Sequence, residues 1–212
     1  MKKILISLLA LMIFASACNE DMLDVKNQNQ YSYDTYFTGS AQFNEAVIAT
    51  YAILLGKGMY ARDWYFLFDL LGNDAERDAP LLGDLLQLHD FTFGSSHIQI
   101  SELWQSLYRM ILRANLVIEQ AEKWEPSAEA ERNLKQQYIA EAQFFRGYAH
   151  LYLAALWGRV PLKPNFASSG ELFTPRSRTS QEVWDAAETG FKLAIEGLPV
   201  VYPNVNDEGR AT

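Results

Sequence analysis

Between Tyr138 and Leu162 the chain reads YIAEAQFFRGYAHLYLAALWGRVPL, and this stretch constrains the possible folds more than any other. Tyr138, Ala142, Phe145, Ala149, Tyr152 and Leu156 recur at steps of four and three. Ile139, Phe144, Tyr148, Leu151 and Leu153 widen that stripe until little of the circumference stays polar. Such a helix is expected to be buried among other helices. Gly158 suits the left-handed position at its end, Pro161 and Pro164 forbid continuation, and the chain is predicted to leave through a short extended piece, Arg159 to Leu162.

A second long helix is predicted from about Ser101 to Lys123, with Leu103, Leu107, Ile111, Ala114, Ile118 and Ala121 at helical spacing, and a linker around Pro126 and Ser127 follows it. An earlier helix is predicted over Ser40 to Leu55, with Phe43, Val47, Tyr51 and Leu54 on one side and Gly56 and Gly58 closing it. Thr179 with Glu182 three residues on can form a capping box that opens a fourth helix through Trp184, Ala187, Phe191 and Ile195 to Leu198 and Pro199. From Gly58 to His97 the pattern turns irregular, rich in glycine, acids and aromatics. It reads as the least helical and most functional part.

Lys2 and Lys3 precede an apolar run from Ile4 to Phe14, then Ala15, Ser16, Ala17 and the only cysteine, Cys18. This has the form of a secretory signal over residues 1–17, too short to span a bilayer comfortably. A cysteine directly after the small residues is similar to the lipobox of bacterial lipoproteins, in which the thiol is lipidated. A plain signal peptide with an incidental cysteine is the alternative. Residues 18–37 read as a polar tether, and the acidic cluster Asn19, Glu20, Asp21 resembles a surface-export signal. With Cys18 assigned to lipid, the fold must rest on packing without an intramolecular disulfide.

Setting aside Lys2 and Lys3 moves the formal charge from −8 to −10, which argues against nucleic-acid partners, since these require clustered Lys and Arg. His89, His97 and His150 show no metal spacing, and no cofactor fingerprint occurs. Asp74, Glu76 and Asp78 alternate like the start of a calcium loop, but Ala79 and Leu85 stand where glycine and the terminal Glu are needed, so no metal is expected. The positive signal is aromatic: 12 Phe, 11 Tyr and 5 Trp, most of them expected to fill helix interfaces. Trp64, Tyr65, Asn73, Asp74, Arg77 and Asp78 combine flat faces that stack on sugar rings with groups that meet hydroxyls. They form the candidate glycan-binding set. The alternative is that Arg77 pairs with Asp74 or Asp78 and the rings anchor a loop. Asn115, Glu141, Arg146 and His150 are expected in buried polar networks between helices, with Glu141 and Arg146 bonding to neighbouring helices rather than to each other.

Ala140, Glu141, Ala142, Phe145, Arg146, Gly158, Val160, Pro161 and Leu162 resemble the signature helix and exit of the SusD/RagB family, the surface glycan-binding lipoproteins of Bacteroidetes. Trp157 and Arg159 depart from its usual residues. Trp104, Tyr108, Ile111, Ala114, Asn115 and Ile118 resemble a second family motif; Arg178, Thr179, Glu182, Val183, Trp184, Ala194, Leu198 and Pro199 resemble a third. Gly209 to Thr212 resemble the opening of the family's GRAT helix. The resemblance implies an all-α fold of tetratricopeptide-like hairpins with a loop-rich insertion over residues 38–212, incomplete at its carboxy end because family members are longer. The fourth helix would then lack a pairing partner and turn Phe191 and Ile195 to water. The resemblance further implies a non-enzymatic protein, lipid-anchored at the outer-membrane surface, that captures oligosaccharides for a SusC-like TonB-dependent transporter. A helical protein-interaction scaffold, a peptide-binding lipoprotein and a surface glycoside hydrolase remain the alternatives.

Overall fold

The computed structural model describes residues 33–72, 75, 80, 82–167 and 173–212. The signal segment, Cys18, most of the tether, and Asn73, Asp74, Glu76, Arg77 and Asp78 lie outside the described residues. The chain divides into two compact units, Met1–Tyr36 and Phe37–Thr212. In the first, the described residues Tyr33–Tyr36 form a single helical turn within what the sequence reads as a polar tether.

The second unit is all-α. Its helices are α1 (Ser40–Tyr51), α2 (Asp63–Leu71), α3 (Gly83–His89), α4 (Ile98–Lys123), α5 (Glu129–Trp157) and α6 (Gln181–Gly197). Among the described residues, 3-10 turns also occur at Ala52–Leu55 and Val205–Asp207, and an isolated antiparallel bridge joins Pro161 and Arg176. The first predicted helix therefore tightens into 3-10 geometry over its last turn, and the second begins at Ile98 rather than Ser101. Its opening turn buries Gln99, a polar residue that an apolar pattern passes over. The stretch from Gly58 to His97 is a larger correction, since it holds both α2 and α3. Neither has enough turns to show a helical period, and α2, DWYFLFDLL, is almost continuously apolar.

A short connection over residues 124–128 turns α4 back against α5, and α1 packs on both. Phe43 and Val47 of α1, Leu107, Met110 and Ile111 of α4, and Phe145, Ala149 and Leu153 of α5 form the centre of the core. The exit from α5 is pinned by α4: the Tyr108 hydroxyl donates to Pro161 O at 2.7 Å and Asn115 Nδ2 donates to Lys163 O at 2.8 Å. Gly158 takes φ 70°, as the sequence predicts, and Val160 behind it is fully buried. The second and first motifs are thus two halves of one joint.

Half of the expected capping box forms at α6: the Glu182 N–H donates to Thr179 Oγ1, but the Glu182 carboxylate accepts from the Arg178 N–H rather than from Thr179, and Ser180 takes the N-cap position. The helix does not lack a partner. Val183, Ala187, Gly190 and Ala194 lie buried on α5, and Phe191 is half-buried edge-on to Phe144 at 5.8 Å; Ile195 alone of the two is widely exposed. The expectation of an unpaired helix fails because α6 packs on α5 itself, through a stripe of small residues that allows close approach. The hairpins α4/α5 and α5/α6 give the tetratricopeptide-like arrangement.

Candidate functional site

The approach to α2 is a tight turn over residues 56–62, in which Met59 N donates to Gly56 O and Asp63 N to Lys57 O. Gly58 lies against α4 so closely that a Cβ there would stand 2.5 Å from Glu102 O. That packing fixes where α2 begins. Asp63, at its first position, is fully buried with one carboxylate oxygen on Arg62 Nη1 at 3.0 Å, and burial raises its carboxyl above the ordinary range, with the Arg62 charge opposing.

From this start α2 presents two different aromatic faces. Trp64 is half-buried in a ladder of rings, 4.9 Å from Tyr60, 4.6 Å from Phe68 and 4.5 Å edge-on from Tyr152 of α5. The Tyr60 and Tyr148 hydroxyls hydrogen-bond behind it, and burial pushes the Tyr148 phenol well above its usual range. Trp64 is therefore a buttress. Tyr65, one residue on, points outward with 54% of its surface exposed. Of the six candidate residues, these two are described; they share α2 but not an environment, and only Tyr65 offers most of its ring to solvent.

Beside them opens a pocket of about 600 Å³. Leu67, Phe68, Leu71 and Gly72 line it from α2, Phe93, Gly94 and Ser95 from the segment after α3, Ile100 and Leu103 from α4, and Leu156 and Trp157 from the end of α5. Trp157 is held edge-on by Trp104 at 5.1 Å. Among the described residues, no charged side chain lines the cavity, and Ser95 supplies the one side-chain hydroxyl. The sequence reading places Leu156 in the packing stripe of its helix, notes Trp157 only as a departure from the family's usual residues, and does not name Phe93. Two segments far apart in sequence contribute them, and spacing along the chain carries no signal of that convergence.

A polar nest adjoins the pocket at the start of α4. Gln99 Nε2 donates to Asp84 Oδ2, and this bond holds the Asp84 carboxyl below its ordinary range; His97 Nε2 bonds Asp84 O at 2.8 Å. These contacts tie α3 to α4 and shape the segment between them, in which Phe91 takes φ 53°, a left-handed conformation unusual for an aromatic residue. Among the described residues no three His, Cys, Asp or Glu side chains converge on a metal-sized site, and no helix is long and apolar enough to cross a membrane.

The polar residues of the signature helix fall as expected. Glu141 is fully buried and accepts from Tyr51, Gln137 and Arg210, while Arg146 reaches Asn115 Oδ1 and Pro164 O, each at 3.5 Å. His150 is buried with Nδ1 on Arg146 O at 2.8 Å.

Fold and site together define an all-helical protein of tetratricopeptide-like class that carries a ligand-sized apolar pocket and an exposed aromatic ring on its short helices. The chain belongs to the SusD-like family: the family described as "Starch-binding associating with outer membrane" matches residues 21–208. It is 22% identical over 209 residues to SusD-like protein P25 of Formosa agariphila, covering 95% of this chain and 39% of that protein. To SusD-like protein P38 of the same organism it is 30% identical over 187 residues, covering 86% and 35%. A SusD-like protein of Bacteroides ovatus is 25% identical over 211 residues, covering 99% and 36%. Among solved structures, a SusD homologue from Bacteroides thetaiotaomicron superposes with a TM-score of 0.71 at 20% identity, over 85% of this chain and 33% of that one. A SusD superfamily protein from Bacteroides vulgatus gives 0.66 at 19% identity, over 79% and 36%. The chain thus spans little more than a third of the length of these relatives, and the structural likeness concerns the fold.

Proposed function

We propose that this chain is the helical part of a surface lipoprotein, anchored through Cys18 at the outer membrane, that captures oligosaccharides without chemically altering them and passes them to a SusC-like TonB-dependent transporter. Membership of a family described as starch-binding supports the carbohydrate class, and α-glucans are the first ligands to try. The observation in this molecule that carries the reading is Tyr65: an exposed ring on a helix held rigid by the Trp64 ladder and by the Gly58 turn. A fixed aromatic face binds the flat C–H surface of a sugar at little ordering cost. Asn73, Asp74, Arg77 and Asp78, which follow α2 in sequence, would supply hydrogen bonds to the hydroxyls.

The test is affinity electrophoresis of the soluble chain beginning after Cys18, through gels containing starch and a panel of other polysaccharides. The expected result is retardation by one polysaccharide, reduced at least fivefold in apparent affinity by Tyr65→Ala with an unchanged thermal melt. Mobility unaffected by every polysaccharide would remove the reading for this chain. Delivery is tested separately by pull-down from outer membranes with the lipidated protein. Copurification of a TonB-dependent barrel, lost in Cys18→Ser, is the expected outcome.

A further inference from the structure

A sugar ring does not suit the pocket beside Tyr65. Each hydroxyl carried into it would give up water for a wall of leucine, isoleucine, phenylalanine and tryptophan side chains, with Ser95 as the single side-chain hydroxyl among the described lining residues. A polar group buried without a partner loses its hydration and gains no hydrogen bond in return, so a ring carrying several hydroxyls would be rejected. The cavity is nevertheless of ligand size: about 600 Å³ lies within the roughly 300–1,000 Å³ range typical of small-molecule pockets. Its rim residues Phe68 and Leu156 are 37% and 43% exposed, so the cavity is reached from the surface.

The register of α2 joins this pocket to the proposed sugar platform. Tyr65 and Phe68 are three residues apart on one helix, which makes them neighbours with Cβ atoms about 5–6 Å apart, Phe68 standing at the boundary between the exposed face and the Trp64 ladder. One presents its ring to solvent and the other lines the cavity. A single ligand lying along α2 therefore meets a sugar-stacking face and an apolar socket within the span of about one ring. We propose that the pocket is a subsite for an uncharged apolar substituent, an aryl or short acyl group, carried by the saccharide that stacks on Tyr65. This inference rests on the glycan-capture reading for the identity of the ligand's polar part. The preference for an uncharged apolar group rests on the pocket lining.

The experiment compares two ligands and two variants in the full chain. The saccharide selected by affinity electrophoresis is titrated calorimetrically as its methyl glycoside and as its phenyl glycoside, and the neutral probe N-phenyl-1-naphthylamine is titrated by fluorescence. Leu156→Glu places a carboxylate at the exposed rim and Ser95→Trp fills the mouth from an exposed loop; far-UV melts verify that both remain folded. The expected result is at least tenfold tighter binding of the phenyl glycoside than of the methyl glycoside, a gain abolished by either variant. The probe should bind the wild type and lose at least tenfold in affinity in both variants. Equal affinity for the two glycosides, or a gain that survives both variants, overturns the inference and leaves glycan capture standing. If no saccharide binds, glycan capture fails, and the probe decides the pocket: loss in both variants supports an apolar site, and unchanged probe binding overturns it.

Discussion

His150 is held neutral by its surroundings. Its Nδ1 bonds the Arg146 carbonyl one turn earlier, its Nε2 has no hydrogen-bond partner, and burial lowers its pKa from 6.5 to about 4, with the Arg146 charge adding to the effect. Neutral imidazole is therefore the native form, and protonation is resisted in the folded state but not in the unfolded chain. Between pH 6.5 and 4 the unfolded state binds more protons, so the contribution of His150 is fully present above pH 6.5 and is lost as pH falls toward 4. A shift of this size corresponds to on the order of 3 kcal/mol. Asp63 acts in the opposite sense, because its raised carboxyl favours the folded state on acidification. Urea titrations at pH 7.5 and 4.5 isolate the histidine by comparison with His150→Asn, whose amide can still donate to Arg146 O. The wild type should lose about 2–3 kcal/mol more than the variant between the two pH values. Equal losses would place the acid sensitivity elsewhere.

The contact between α5 and α6 depends on two glycines. A Cβ on Gly190 would stand 2.7 Å from both Cα and N of Gly147 and 3.0 Å from Gln143 O. These are backbone atoms, so relief requires the helices to separate. Alanine gains about 1 kcal/mol of helix propensity over glycine, while overpacking costs about 1–3 kcal/mol and here is spread along the whole stripe from Val183 to Ala194. Gly190→Ala should therefore destabilise by up to about 2 kcal/mol, measured by urea denaturation. Gly83→Ala, at the start of α3 where a Cβ meets nothing within 4 Å, should be neutral or slightly stabilising. The same contrast explains what could be read in advance. The long helices announce themselves because Leu103, Leu107, Ile111 or Tyr138, Phe145, Tyr152 repeat over many turns. The pairing of α6 with α5 does not, since the glycines at their contact, Gly147 and Gly190, carry no side chain to mark it, and α2 and α3 do not, since nine and seven residues are too few for a period. At the site, Tyr65 was legible as an aromatic among acids. The pocket was not, because Phe93, Ile100 and Trp157 meet only after three elements have packed.

Across the whole second unit, the segment after α6 is fastened to the first and longest helices chiefly through Arg210. Arg210 donates through Nε and Nη2 to both Glu141 oxygens at 2.8–3.2 Å and through Nη1 to Asn44 Oδ1 at 2.9 Å and Asp207 Oδ1 at 3.2 Å. Tyr51 completes the joint: its hydroxyl donates to Glu141 Oε2 at 2.8 Å and accepts the Ala211 N–H at 2.7 Å. Burial and the Glu141 charge push the Tyr51 phenol well above its usual range, and the same carboxylate outweighs the effect of burial on Arg210 and raises its pKa. The glutamate of the signature helix and the arginine near Thr212 are thus two ends of a single buried pair spanning 69 residues of sequence. A pair of this kind stabilises little against an apolar replacement, but losing one member leaves the other charge without a partner, at a cost of about 3–5 kcal/mol. Arg210→Ala should fall near the lower end, about 3 kcal/mol, because residues 198–212 are held by few other contacts and can move aside to hydrate Glu141. Adding Glu141→Gln to Arg210→Ala should then restore stability relative to the single variant, since the stranded charge is gone. Urea denaturation of the four-member cycle reads the coupling directly, and hydrogen exchange at the Ala211 amide reads release of the segment. Independent, additive losses would mean that Glu141 is satisfied by Tyr51 and Gln137 alone, and that Arg210 does not hold the segment in place.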